Sequence, residues 1–130
     1  MLREKLSVLI VEDSEVVTRR IRSMLKEIPE VTVVGEAMNG KEALIITQVM
    51  NPDIVLLDIH LPGVNGVEVL REIKLSHAKT KVMMLTNYSD LHHRKRCKEA
   101  GADYFFDKSI EFEKVPEVLG TIYNEYTRPK

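Results

Sequence analysis

Five times along this chain a short apolar run rich in β-branched residues is followed by a longer segment whose apolar residues recur at three- and four-residue spacing. The runs are LSVLIV (6–11), VTVVGEA (31–37), DIVLLD (53–58), KVMMLT (81–86) and DYFF (103–106). Alternation of strand and helix on this scale leaves few solutions, because consecutive parallel strands need a crossover helix and both sheet faces must then be covered. Ile54 to Leu57 are apolar without a break, as a strand buried on both faces requires. The expected fold is therefore α/β, a (βα)5 doubly wound parallel sheet.

The helical segments carry their own stop and start signals. A first helix is expected from about Ser14 to Ile28, with Val17, Ile21, Met24 and Ile28 inward and Pro29 closing it. Asn39, with Glu42 three residues on, reads as the cap of a second helix that Asn51-Pro52 stops. A third is expected near Asn65 to Leu75, and a fourth from a Ser89 cap to Ala100, with Gly101 as the stop. The fifth starts near Lys114, since Pro116 is comfortable only in a first turn, and it aligns Val115, Val118, Leu119, Ile122 and Tyr126. No linker or repeat interrupts the pattern. Residues 1–130 are expected to form one domain with a core from about 5 to 126, no output domain, and a loose tail TRPK.

A chain of 130 residues buries roughly two thirds of the surface its unfolded form exposes, so it needs no metal or disulfide to fold. The net charge of −1, with both signs interspersed, argues against a nucleic-acid footprint. The basic run HHRKRCK (92–98) then reads as a solvated or partner-binding helix face. No apolar stretch has the length of a signal core or a membrane span. The single cysteine, Cys97, fits a small buried hydrophobe in a reducing compartment. A cytoplasmic protein without nucleic-acid or membrane partners is expected.

Ligands of open parallel sheets bind beyond the carboxyl ends of the strands. The first strand delivers Glu12 and Asp13 to that edge, the third Asp58, the fourth Thr86 and the fifth Lys108. Three carboxylates brought together repel one another unless a cation joins them. A hard divalent ion such as Mg²⁺, with Mn²⁺ as a substitute, answers that need, and the backbone carbonyl of His60 is a candidate further ligand. The remaining parts make sense if Asp58 is a nucleophile that takes a phosphoryl group. The ion, Lys108 and the hydroxyl of Thr86 would each meet part of the charge on the transferring oxygens.

VED with Glu12 and Asp13, LLDIHLPGVNG with Asp58, Pro62 and Gly66, MMLT with Thr86, and GADYFFDK with Lys108 follow one another in order, each at a strand end. In this the chain resembles the response-regulator receiver domains of two-component signalling, over essentially its whole length. The resemblance implies a flavodoxin-like sheet of strand order 2-1-3-4-5. It implies phosphoryl transfer to Asp58 from the phosphohistidine of a sensor histidine kinase or phosphotransfer protein, catalysed by the receiver itself with no other enzymatic activity. It also implies a switch in which Thr86 moves toward the phosphoryl group and Phe105 swings inward, changing the surface seen by a downstream protein target. A monomer is expected, with dimerisation on phosphorylation left open.

Two positions depart from the family pattern. Ser109 follows Lys108 where proline is usual, and a cis peptide without proline costs about 3–4 kcal/mol, so this loop is either trans or strained. Phe105 lacks the hydroxyl of the more usual tyrosine, so it is expected to pack without a polar contact.

Rival readings attach to other residues. GEAMNGKE (35–42) satisfies G-x-x-x-x-G-K, but Glu42 stands where a phosphate loop needs Ser or Thr. A flavin-binding domain of the same strand order is disfavoured by the absence of tryptophan. A receiver acting as a fixed interaction module, never phosphorylated, is the nearest alternative. His77, His92 and His93 read as surface histidines, whereas the His60 side chain lies beside the phosphoacceptor and could tune the lifetime of an acyl phosphate.

Overall fold

The computed structural model describes residues 5–127. In chain order the elements are β1 (Leu6–Val11), α1 (Glu15–Lys26), β2 (Val31–Ala37), α2 (Gly40–Met50), β3 (Ile54–Leu57), α3 (Gly66–Ser76), β4 (Lys81–Thr86), α4 (Leu91–Glu99), β5 (Tyr104–Asp107) and α5 (Lys114–Thr127). All neighbouring strands pair in parallel, in the order β2-β1-β3-β4-β5. This is the flavodoxin-like sheet expected from the sequence.

The two-residue period of the strands divides the core in two. Leu9, Val11, Val55, Leu57, Val82 and Met84 point to one face, where they meet Ala43 of α2, Leu70 and Ile73 of α3 and Cys97 of α4. Their chain neighbours Val8, Ile10, Ile54, Leu56, Met83 and Leu85 point to the other, against Ile21 and Leu25 of α1 and Val115, Leu119 and Ile122 of α5. Every residue of β3 is buried, which accounts for its unbroken apolarity. Burial of this kind is worth about 25 cal/mol per Å² of apolar surface and is the main force holding helices to sheet.

The helix signals hold in most places. Ser14 caps α1, Asn39 caps α2 and Asn65 caps α3, each accepting a backbone N–H of the first turn. The fourth cap is not Ser89 but Asp90, whose carboxylate accepts the His93 N–H at 3.1 Å. A charged acceptor one residue nearer the helix wins that position, and the Ser89 hydroxyl goes instead to Asp107. Helix α1 ends at Lys26, and Ile28 packs from the turn that follows. Strand β5 is displaced by one residue from the expected DYFF run: Asp103 precedes it, its carboxylate accepting the Val82 N–H at 2.8 Å and pairing with Lys74 at 3.0 Å. Of the TRPK tail, Thr127 closes α5 and the remainder lies outside the described residues. No helix among the described residues is long and apolar enough to cross a membrane.

Candidate functional site

The ladder hydrogen bonds run on past the strands and fix the backbone beneath each site residue. Glu12 N–H donates to Ala37 O at 3.0 Å, Asp58 N–H to Val11 O at 3.3 Å and Lys108 N–H to Thr86 O at 2.8 Å. Beyond Asp58 the chain turns over the first residue of α3. Gly66 donates its N–H to Ile59 O at 2.7 Å, and a Cβ added to it would lie 2.1 Å from Asp58 O and 2.7 Å from Ile59 Cα. Only glycine allows the helix to sit this close to the backbone of the strand-terminal acid.

Three acids converge on the edge so formed: one carboxylate oxygen from each of Glu12, Asp13 and Asp58 lies within 4.8 Å of the others. Lys108 enters from β5, donating from Nζ to Glu12 Oε1 at 2.5 Å and to Asp58 Oδ2 at 3.0 Å. Glu12, Asp58 and Lys108 are all buried. The Asp58 carboxylate also accepts the His60 N–H at 3.3 Å, and Glu12 accepts the Asp13 N–H at 2.9 Å. Burial pushes the Glu12 carboxyl up, against the hydrogen bond and charge of Lys108, and the nearby Asp58 charge adds to the rise. For Lys108 burial acts downward, but the hydrogen bond to Glu12 and the charge and hydrogen bond of Asp58 outweigh it, so the ammonium form is favoured.

One ammonium among three carboxylates leaves negative charge uncompensated, and an all-oxygen donor set suits a hard divalent ion. An open cleft of about 350 Å³ gives access, lined by the acids together with His60, Tyr88 and Lys108. A larger hollow, about 570 Å³, opens at the opposite edge between the loops leading into β3, β4 and β5. It is the roomier of the two, but one of the lysines that line it, Lys74, is already tied to Asp103 and to the carbonyls of Ala78 and Thr80.

Residues 8–119 match the response regulator receiver domain family. The chain belongs to that family. The response regulator UvrY of Escherichia coli is 33% identical over 119 residues, covering 92% of this chain and 55% of that protein. The receiver thus spans about half the length of such curated relatives. The response regulator domain of Thermotoga maritima CheB superposes with a TM-score of 0.80 at 26% identity, covering 97% of this chain and 98% of that one. A chain of the CheX-CheY-BeF3-Mg+2 complex from Borrelia burgdorferi does so at 0.82 and 27%, over 91% and 89%.

Around the acidic centre of the receiver the other expected residues are distributed unevenly. Thr86 is fully buried at the end of β4, and its hydroxyl accepts the Tyr88 N–H of its own loop at 3.2 Å. Phe105 is half-buried against the α2–α3–α4 side of the core, and the Arg94 guanidinium lies over its ring, 4.6 Å from the centroid. The expectation that this phenylalanine makes no polar contact is therefore corrected: a cation covers its face. The same contact takes Arg94 out of the solvated or partner-binding face expected of HHRKRCK, since Arg94 also bonds Ser89 O and Glu111, whereas His92, Lys95 and Lys98 are exposed. No peptide bond among the described residues is cis, so the Lys108-Ser109 bond is trans and the lysine still reaches both acids.

His60 is exposed, its ring 5.9 Å from that of Tyr88, which in turn lies 5.4 Å from His93. His93 is not a free surface histidine, because its Nδ1 is bonded to Asp90 at 2.5 Å. Tyr88 escaped sequence reasoning: a single aromatic residue in a loop carries no periodic signal. Finally, Glu42 accepts the Met38 N–H at 3.0 Å and so occupies a donor that a phosphate loop would need free. GEAMNGKE is a helix cap on the edge strand, not a nucleotide cradle.

Proposed function

We propose that this receiver accepts a phosphoryl group on Asp58 from the phosphohistidine of a sensor histidine kinase or phosphotransfer protein, and that the change alters its binding to a downstream protein. The observation that carries this reading is the buried Lys108 ammonium bridging Asp58 and Glu12, with Asp13 within reach of both. An Asp58 carboxylate oxygen attacks phosphorus as the P–N bond breaks; the donor ring, already protonated on its other nitrogen, keeps the bonding pair and leaves as neutral imidazole while an acyl phosphate forms. Lys108 meets charge on the phosphoryl oxygens, and Thr86 contributes its hydroxyl after the β4–α4 loop moves. Glu12, Asp13, Asp58 and the His60 carbonyl are the proposed ligands of Mg²⁺, or of Mn²⁺ in its place. When bound, the ion would offset charge on the incoming group.

The switch residues in this reading are Thr86 and Phe105, and the unit that works is a single domain of about residues 5–126, catalysing only its own modification. A solved neighbour that carries BeF3 and Mg+2 supports the choice of ligand chemistry. The test is phosphate incorporation from a small acyl-phosphate donor with Mg²⁺, comparing wild type, Asp58→Asn and a chelated control. Labelling of wild type alone is the expected result. A folded wild-type protein that takes no label would favour the fixed interaction module.

A further inference from the structure

Outside the acidic centre, several polar contacts gather on Asp107, the last residue of β5. One carboxylate oxygen accepts the Ser109 N–H at 2.7 Å and the Ile110 N–H at 3.3 Å, while the other accepts the Ser89 hydroxyl. Asp107 thereby grips two loops. Lys108 lies between the residue that accepts and the residue that donates, so the first oxygen sets the turn from which the lysine side chain departs. Ser89 lies three residues after Thr86, so the second oxygen holds the loop that carries the threonine.

Several further contacts close the same frame. The Ser109 hydroxyl bonds Asn87 at 3.3 Å, and the Asp107 N–H donates to Glu111 Oε1 at 2.9 Å. That oxygen also takes Arg94 Nη2 at 2.9 Å, and Arg94 Nε in turn donates to Ser89 O at 2.9 Å. Asn87, Ser89, Arg94, Asp107, Ser109 and Glu111 thus bind the β4–α4 loop, α4 and the β5–α5 loop into one ring. Lys108 N–H paired with Thr86 O is the rung beneath it.

We propose that Asp107 is a positioning residue that couples the two moving parts of the site: through Ser109 and Ile110 it holds Lys108 against Asp58, and through Ser89 it holds the Thr86 loop in its resting place. The proposal rests on the phosphoacceptor reading above for its consequence, not for its geometry. Ser89 is the separable arm. Removing its hydroxyl loosens the threonine loop and leaves the lysine turn intact, whereas removing the Asp107 carboxylate loosens both. Asparagine at 107 keeps an oxygen for the Ser109 and Ile110 N–H groups and so keeps the lysine turn.

The experiment compares wild type, Ser89→Ala, Asp107→Ala and Asp107→Asn by NMR and by small-donor phosphorylation. In Ser89→Ala, the amides of 86–89 are expected to gain microsecond-to-millisecond exchange while the Lys108 ¹⁵Nζ signal stays in place. In Asp107→Ala both signals change, and phosphorylation slows by about 10- to 100-fold while Mg²⁺ binding is not weakened, because the reacting groups lose alignment and the metal ligands do not. Asp107→Asn restores the Lys108 signal and most of the rate. An unmoved Lys108 signal in Asp107→Ala, or no rescue by asparagine, would overturn the proposal. If Asp107→Ala does not fold, Ser89→Ala decides it: no added exchange at 86–89 refutes the coupling. The NMR comparison uses no phosphoryl donor, so a wild type that takes no label defeats the phosphoacceptor reading without touching this one.

Discussion

Lys108 occupies the place among the carboxylates that a divalent ion would contest, so it has opposite effects on metal and on chemistry. Lys108→Ala is expected to tighten Mg²⁺ severalfold by calorimetric titration, because it removes the competing charge, and to slow phosphoryl acceptance by about 100-fold. Unchanged metal affinity would show that the ammonium and the ion do not share these oxygens. Cys97 offers a second test at this scale. It has no exposed surface, and burial pushes its thiol up from 9.0 to about 11. The folded form then holds its proton where the unfolded form has lost it, so its contribution to stability is complete below pH 9.0 and lost between there and about 11. Cys97→Ala should flatten that part of a stability-versus-pH curve, by about 2–3 kcal/mol at most. The residues legible in the sequence were those at strand ends, where an apolar run stops at an acid, a hydroxyl or an ammonium. Asp107, Ser89 and Arg94 were not legible, since each finds its partner across a loop and nothing in their spacing marks the pairing.

Among the elements, α3 bears most directly on the site. Its first residue packs onto the backbone of Asp58 and Ile59, so a methyl group there must displace the acid-bearing strand end itself. Gly66→Ala is expected to cost about 2–3 kcal/mol in urea unfolding and to impair labelling at Asp58 even where the protein remains folded. Normal stability and normal labelling together would mean that the turn yields without moving the carboxylate. The caps make a gentler test: Asp90→Ala should cost about 1 kcal/mol through loss of the α4 cap. Strands and helices were legible because periods of two and of three to four residues survive in the apolar residues. The end of β5 and the start of α4 were less so. Adjacent polar residues such as Ser89 and Asp90 both offer an acceptor, and the charge on Asp90 together with the tertiary partner of Ser89, Asp107, decides which of them caps.

For the whole molecule, a site of three carboxylates with one ammonium predicts ligand-linked stability. Mg²⁺ at 100 times its dissociation constant should stabilise the fold by about 2.7 kcal/mol, read as a shift in the unfolding midpoint, and Asp13→Asn should remove most of it. No shift in wild type would leave the acidic cluster without an ion to hold. The parallel (βα)5 sheet was legible from alternation and its strand order from the resemblance to receivers, and the acids were expected together at the strand ends, whereas the bridge from Lys108 to Glu12 and Asp58 became visible only in the folded sheet.

The sheet also divides the receiver into two rooms. Phe105 packs on the side of α2, α3 and α4, while Phe106, its neighbour, packs with α1 and α5. On the proposed function, repacking of Phe105 changes the first room, on the side where Arg94 of α4 covers its ring. On the same proposal, a protein that reads the signal would meet the change on the α4 side of the sheet.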